Sequence, residues 1–148
     1  VLQAHVDEGL KFARKNRLPK PIANFIPEHQ GTLKMGYFLN KAEEKKLNFN
    51  DSDFRYKGPI PQSKETAILM LADGCEAALR AMDINASDYE ALETISKIVN
   101  SRQVDGQLKD SNLSKGEIFL IKNSFLNVWK RIRHRRIQYP TTKNNTFS

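Results

Sequence analysis

Cysteine is nearly absent: Cys75 stands alone among 148 residues, so no internal disulfide can staple the chain. Long apolar runs are missing, and so is the layout of a signal peptide. No segment is therefore expected to span a bilayer, and a cytosolic domain is expected. Period-two alternation is lacking, which removes the case for strands, and no internal repeat or glycine-rich phosphate loop appears. Acidic charge is in deficit, with 17 Asp plus Glu against 24 Lys plus Arg, a net charge of +7. That balance favours anionic partners such as phosphate, nucleotide, nucleic acid or an acidic membrane surface, and by itself names none of them.

What remains is helical periodicity in a chain long enough for one domain and too short for two. Residues 1–17 carry Val6, Leu10 and Ala13 on one side, and Leu18-Pro19 ends the run because proline disfavours helical geometry in the residue before it. A short second helix is expected over 20–29. Gly31 supplies a helix stop and Thr32 an N-cap for a third helix, marked by Leu33, Tyr37, Phe38 and Ala42 and running to Leu47. Residues 49–63, FNDSDFRYKGPIPQS, form a long connection of the kind that is often functional. The most apolar stretch, 64–83, is the expected central helix, with Ile68, Leu71, Ala72, Ala78, Leu79 and Met82 keeping most of its circumference dry. A helix over 88–103 leads to an Asp105-Gly106 turn, and a last helix over 114–137 carries Ile118, Ile121, Phe125, Val128 and Ile132 as a buried stripe. The expected class is all-α, one domain over 1–140, followed by a polar, disordered tail over 141–148. Because the chain opens on Val-Leu-Gln-Ala-His, inside a helical pattern, it reads as a fragment or an excised domain.

Several residues stand out against this background. Asp73 lies within the apolar helix, where a carboxylate must be paired, hydrogen-bonded, metal-bound or protonated. Glu76 and Arg80 share roughly its face, so a solvated face with an i,i+4 ion pair explains the same pattern. His5 and His29 are two of only 3 histidines and make no short-spaced zinc signature; a lone histidine is more often a surface or satisfied core residue than a ligand. The run KRIRHRR, Lys130 to Arg136, reads either as a solvated helix face or as attraction for nucleic acid or anionic lipid. Arg136 falls near the apolar stripe, and an arginine aimed inward usually meets an anion. Trp129 lies too close to the buried side to serve as a stacking platform.

Taken in order, HVDEGL, LPKPIANFIPEHQGT, DFRYKGPIPQSKETAILMLADGCEAA, VNSRQVDGQL and HRRIQYP closely resemble one family: the C-terminal part of the cytoplasmic HD domain of bacterial seven-transmembrane HD phosphohydrolases, which hydrolyse cyclic di-AMP to linear pApA. The resemblance implies a compact HD-domain helical bundle, truncated at its N-terminus, from the cytoplasmic side of an inner-membrane signalling protein. It implies two transition metals in the complete domain, iron or manganese, with His5, His29 and Asp73 among their ligands. Neutral imidazoles and a carboxylate suit such metals, and two adjacent metals would activate a hydroxide and stabilise charge on the phosphoryl group. Arg55, Tyr56, Lys64 and Arg136 become candidate contacts to phosphate and adenine; Phe54 and Tyr56 packing the loop while Lys64 faces solvent is the alternative. Gln30, Glu76 and His134 would support the ligands from just outside them.

The departures from the family pattern are specific. The family's upstream His and its His-Asp pair would precede Val1, and no His-Asp dipeptide occurs in the sequence, so the carboxylate that bridges the metals is expected to be missing. Gln30 stands where a second histidine is usual, and Lys57 and Ile60 replace residues commonly Pro and Lys. On this reading the partners are a cyclic dinucleotide, an upstream HD segment and a membrane region, with no nucleic acid, and the isolated chain is an inactive portion of a phosphodiesterase. Two alternatives remain: a non-catalytic helical module that binds nucleotide or nucleic acid through its basic surface, and a degenerate HD domain that senses a cyclic dinucleotide without cutting it.

Overall fold

The computed structural model describes residues 4–35 and 54–137. Among them six helical segments follow in order: α1 (Ala4–Lys15), α2 (Lys20–Ala23), α3 (Phe25–Glu28), α4 (Lys64–Arg80), α5 (Asp88–Val104) and α6 (Lys115–Ile137). The described residues form no strand, only an isolated antiparallel bridge between Lys34 and Arg55. The all-α class is as expected.

The three long helices begin where side-chain caps satisfy first-turn N–H groups. Ser63 accepts from the Thr66 N–H at 3.2 Å. Ser87 accepts from the Glu90 N–H at 3.1 Å while the Glu90 carboxylate accepts from the Ser87 N–H at 2.7 Å, a reciprocal capping box. Ser114 and Glu117 repeat it at 3.1 and 2.9 Å. These helices pack around Ala67, Leu71, Cys75, Ile95, Val99, Leu108 and Ile118, with Leu79, Ile98, Phe125 and Leu126 closing over them. Burying each large aliphatic side chain of this set contributes roughly 1.5–3 kcal/mol.

The short N-terminal helices form an arm docked on α4 through α3. At the α1–α3 contact, a Cβ on Gly9 would lie 2.9 Å from Ile26 Cγ2, so glycine permits the close approach. The arm ends at Gly31, whose φ of +50° favours glycine and whose Cβ would meet Gln107 Oε1 at 2.6 Å and Met70 Cε at 2.7 Å.

Four expectations change. The helix over 20–29 is two segments meeting at Asn24, because Pro27 has no N–H to offer the Ala23 carbonyl. Thr32 does not cap a helix: its N–H donates to Gln107 Oε1, and 33–35 run against 54–56 through Met35 N–H to Phe54 O (2.7 Å) and Tyr56 N–H to Leu33 O (3.1 Å). The rest of the expected third helix, with Tyr37, Phe38 and Ala42, lies outside the described residues, as do 49–53 and the tail. On α4 the buried residues are Thr66, Ala67, Met70, Leu71 and Cys75, and Ile68 is 37% exposed, because α5 and α6 cover only one side of the helix. On α6 Ile118 is buried but Val128 and Ile132 are 44% and 50% exposed. Lys130 reaches Asp88 at the first residue of α5, so the α6 turns beyond it run past the end of that helix.

Candidate functional site

The arm brings two histidines together. His29 caps the C-terminus of α3, and its Nδ1 lies 2.7 Å from Ile26 O and 3.0 Å from Phe25 O. Carbonyl oxygens only accept, so Nδ1 carries a proton, and the tautomer that meets this contact has its lone pair on Nε2. His5, exposed in the first turn of α1, has its ring centroid 6.2 Å from that of His29 and 5.9 Å, edge-on, from that of Tyr56. Its Nε2 is 3.5 Å from Gln30 Nε2.

Gln30 and Tyr56 also line a cavity of about 740 Å³ whose other walls include Asp73, Gly74, Ala77, Ser101 and Arg102. The histidine pair thus adjoins two residues of the cavity on which Asp73 lies. Burial, and then the nearby Asp73 carboxylate, push the Tyr56 phenol above its usual range. Among the described residues, no group of three His, Cys, Asp or Glu side chains is placed to hold a metal ion.

A polar network braces the cavity rim. Arg55 grips Asp105 with two donors, at 3.0 and 3.1 Å, and donates to Thr32 O at 2.8 Å. Gln107, fully buried, accepts from Thr32 N–H at 3.1 Å and donates to Thr32 Oγ1 at 2.9 Å and Asp105 Oδ2 at 3.0 Å. The Arg55 hydrogen bond holds the Asp105 carboxyl below its ordinary 3.8, partial burial opposing and Gln107 assisting. Buried Glu28 accepts from Gln62 N–H at 2.9 Å, tying the 54–63 segment to α3, and Lys57 reaches Asp7 of α1 at 3.2 Å.

The other predicted residues are dispersed. Lys64 pairs with Glu117 at 2.7 Å, whose carboxyl it holds below the usual range. Glu76 and Arg80 form an exposed i,i+4 pair at 3.2 Å. His134 lies on a separate cleft of about 370 Å³ with Lys130, Arg133, Ser87 and Asp88. There Lys130 pairs with Asp88 at 3.2 Å, and Arg133 donates to Ala86 O and stacks over Trp129. Arg136 lies in α6, its side chain outside the described residues. Two residues of the VNSRQVDGQL segment were given no role by sequence reasoning, Gln107 and Arg102. Arg102 carried a usable signal: it follows Ile95 and Val99 on the inward face of α5.

The all-α bundle matches the architecture of solved HD domains. The particular relatives agree. The chain is 32% identical to the HD domain of the L. monocytogenes phosphodiesterase PgpH, with a TM-score of 0.81 over 90% of this chain and 62% of that one. For the same domain solved in complex with cyclic-di-AMP the values are 31%, 0.83, 88% and 61%. In sequence it is 33% identical over 144 residues to the cyclic-di-AMP phosphodiesterase PgpH of Listeria monocytogenes and 34% over 140 residues to that of Bacillus subtilis, covering 97% and 95% of this chain. It is also 43% identical over 145 residues to the uncharacterized protein slr0104 of Synechocystis sp.. The chain is homologous to PgpH and matches its HD domain in structure. It spans about one fifth of these relatives' length, 18% to 20%. No family model matches it, and no described helix is long and apolar enough to cross a membrane.

Proposed function

We propose that this chain is the C-terminal portion of a metal-dependent phosphodiesterase that hydrolyses a cyclic dinucleotide, cyclic di-AMP to pApA, on the cytoplasmic side of a membrane. The observation that carries the reading is the packing of the His5 ring against the His29 ring and against Tyr56, which lines the cavity on which Asp73 lies. The homology to PgpH, whose HD domain was solved with cyclic-di-AMP, names the substrate class.

The donors fit a transition metal in kind. His29 gives its Nδ1 proton to backbone carbonyls, the arrangement that fixes a ligating imidazole's tautomer and aims Nε2 outward. His5, His29 and Asp73 are not placed as a closed set in this chain, and they would hold metal, iron or manganese, two ions, only together with the ligands of the complete site. Bound there, the metal would supply Lewis acidity toward a phosphodiester. Gln30 holds the His5 ring from the position where a second imidazole is usual. Tyr56 presents its ring to an adenine and Arg136 supplies a cation to phosphate, while Lys64 would have to leave Glu117 to do the same. Arg55 serves the substrate through the bridge that carries Tyr56, its fork being engaged by Asp105. The partners are the cyclic dinucleotide and a segment bearing the upstream His and the His-Asp pair. Nucleic acid is not expected among them; within the basic run Lys130 pairs with Asp88 and Arg133 donates to Ala86 O.

Without the bridging carboxylate the isolated chain binds at most one metal, weakly, and turns over little substrate. The test is manganese or iron binding by calorimetry, with cyclic di-AMP hydrolysis followed by chromatography, for the chain alone and joined to a segment carrying the missing ligands. Weak binding abolished by His29→Ala or Asp73→Asn, and turnover only in the joined form, is the expected result. Robust turnover by the chain alone would refute the incomplete ligand set, and binding indifferent to both substitutions would refute the ligands.

A further inference from the structure

Ile95 and Val99 on α5 are fully buried, and Arg102 continues their face, so this arginine leaves the core stripe and is itself half-buried. Its guanidinium crosses α4 at Gly74: a Cβ there would lie 3.0 Å from Nη2 and 3.7 Å from Cζ, and glycine leaves the passage open. Arg102 lines the large cavity beside Asp73 and Ser101. Its Nε is buried with no hydrogen-bond partner, and no carboxylate pairs with the guanidinium among the described residues. Asp105, on the same cavity, is already held by Arg55 and Gln107. A permanent cation with a buried, unanswered donor is unfavourable until an acceptor arrives. The guanidinium fork matches the oxygens of a phosphate.

We propose that Arg102 is the phosphate-binding cation of this cavity, taking a non-bridging oxygen of a bound nucleotide whose base lies against the apolar wall of Met35, Met70 and Ile98. This deepens the phosphodiesterase reading and rests on it for the cyclic dinucleotide, but it requires only a phosphate-bearing nucleotide. Gly74 is then a positioning residue, because a side chain there displaces the guanidinium while the charge remains.

The test compares binding of cyclic di-AMP, AMP and adenosine to the wild-type chain and to Arg102→Gln, Arg102→Lys and Gly74→Ala, each checked for folding by thermal melting. Losing a charge-assisted hydrogen bond should weaken AMP and cyclic di-AMP about tenfold or more in Arg102→Gln, with adenosine unchanged. Arg102→Lys should keep part of the affinity, and Gly74→Ala should reproduce the loss without removing a charge. Wild-type affinity for AMP in Arg102→Gln, or equal losses for AMP and adenosine, would overturn the proposal. Arg102-dependent binding of AMP without binding of cyclic di-AMP would sink the cyclic-dinucleotide reading and leave this one standing. Binding of cyclic di-AMP that ignores Arg102 would do the reverse, and failure of the wild type to bind either nucleotide would end both.

Discussion

Gln107→Leu is the most informative single change to the frame of the site. The side chain has no exposure and makes three hydrogen bonds, with Thr32 N–H, Thr32 Oγ1 and Asp105 Oδ2. Each such bond contributes about 1 kcal/mol net, and a buried donor left orphaned costs about 1–3 kcal/mol, the part-buried Thr32 N–H falling toward the lower end. Leucine keeps most of the volume and gains some apolar burial, so the expected net loss is about 2–4 kcal/mol. Urea denaturation followed by circular dichroism should show a lower midpoint with an unchanged slope, since the surface exposed on unfolding is the same. The network also predicts coupling: Gln107 and Arg55 share Asp105, so Gln107→Leu and Asp105→Asn should be non-additive by about 0.5 kcal/mol or more. A loss below about 0.5 kcal/mol for Gln107→Leu, or strict additivity in the cycle, would show that the bonds do not form one unit.

Two further outcomes follow from the same chemistry. Asp105 is held below its ordinary 3.8 in the folded state, so its contribution is fully present above that value and is lost as pH falls through the lower folded value. Stability should therefore drop below about pH 4, and Asp105→Asn should flatten that limb of a midpoint-against-pH curve; parallel curves would contradict the Arg55 pairing. Cys75 is 2% exposed, and burial pushes its thiol up to about 11 against the opposing pull of Arg102 and Lys122. At about pH 8 it should resist a disulfide reagent in the folded protein and react at once in urea, and rapid labelling of the native state would count against the core assignment.

Helix boundaries were readable wherever a local chemical signal sets them. Ser87 with Glu90 and Ser114 with Glu117 mark their own starts, and Asp105-Gly106 marks the turn that separates α5 from the following segment. Faces were readable only where the partner helix extends far enough. Periodicity places Val128 and Ile132 on the stripe of Ile118, yet it carries no information about where α5 stops. Thr32 was misread because its N–H is satisfied by Gln107, a partner distant along the chain. The same distance explains the site. His5 and His29 meet because Gly9 lets α1 approach Ile26, a steric fact that no spacing rule encodes. The family resemblance made Arg55 a candidate substrate cation, whereas its two-donor grip on Asp105 depends on how the turn after α5 folds back.

Gly31 joins the histidine-bearing arm to the rest of the molecule at a point flanked by Met70 of α4 and by Gln107. Even a single methyl at this corner would press on a helix wall and on the amide that braces the cavity rim. Imidazole placement and cavity shape are thus mechanically linked through one backbone position, and damage there would register at both.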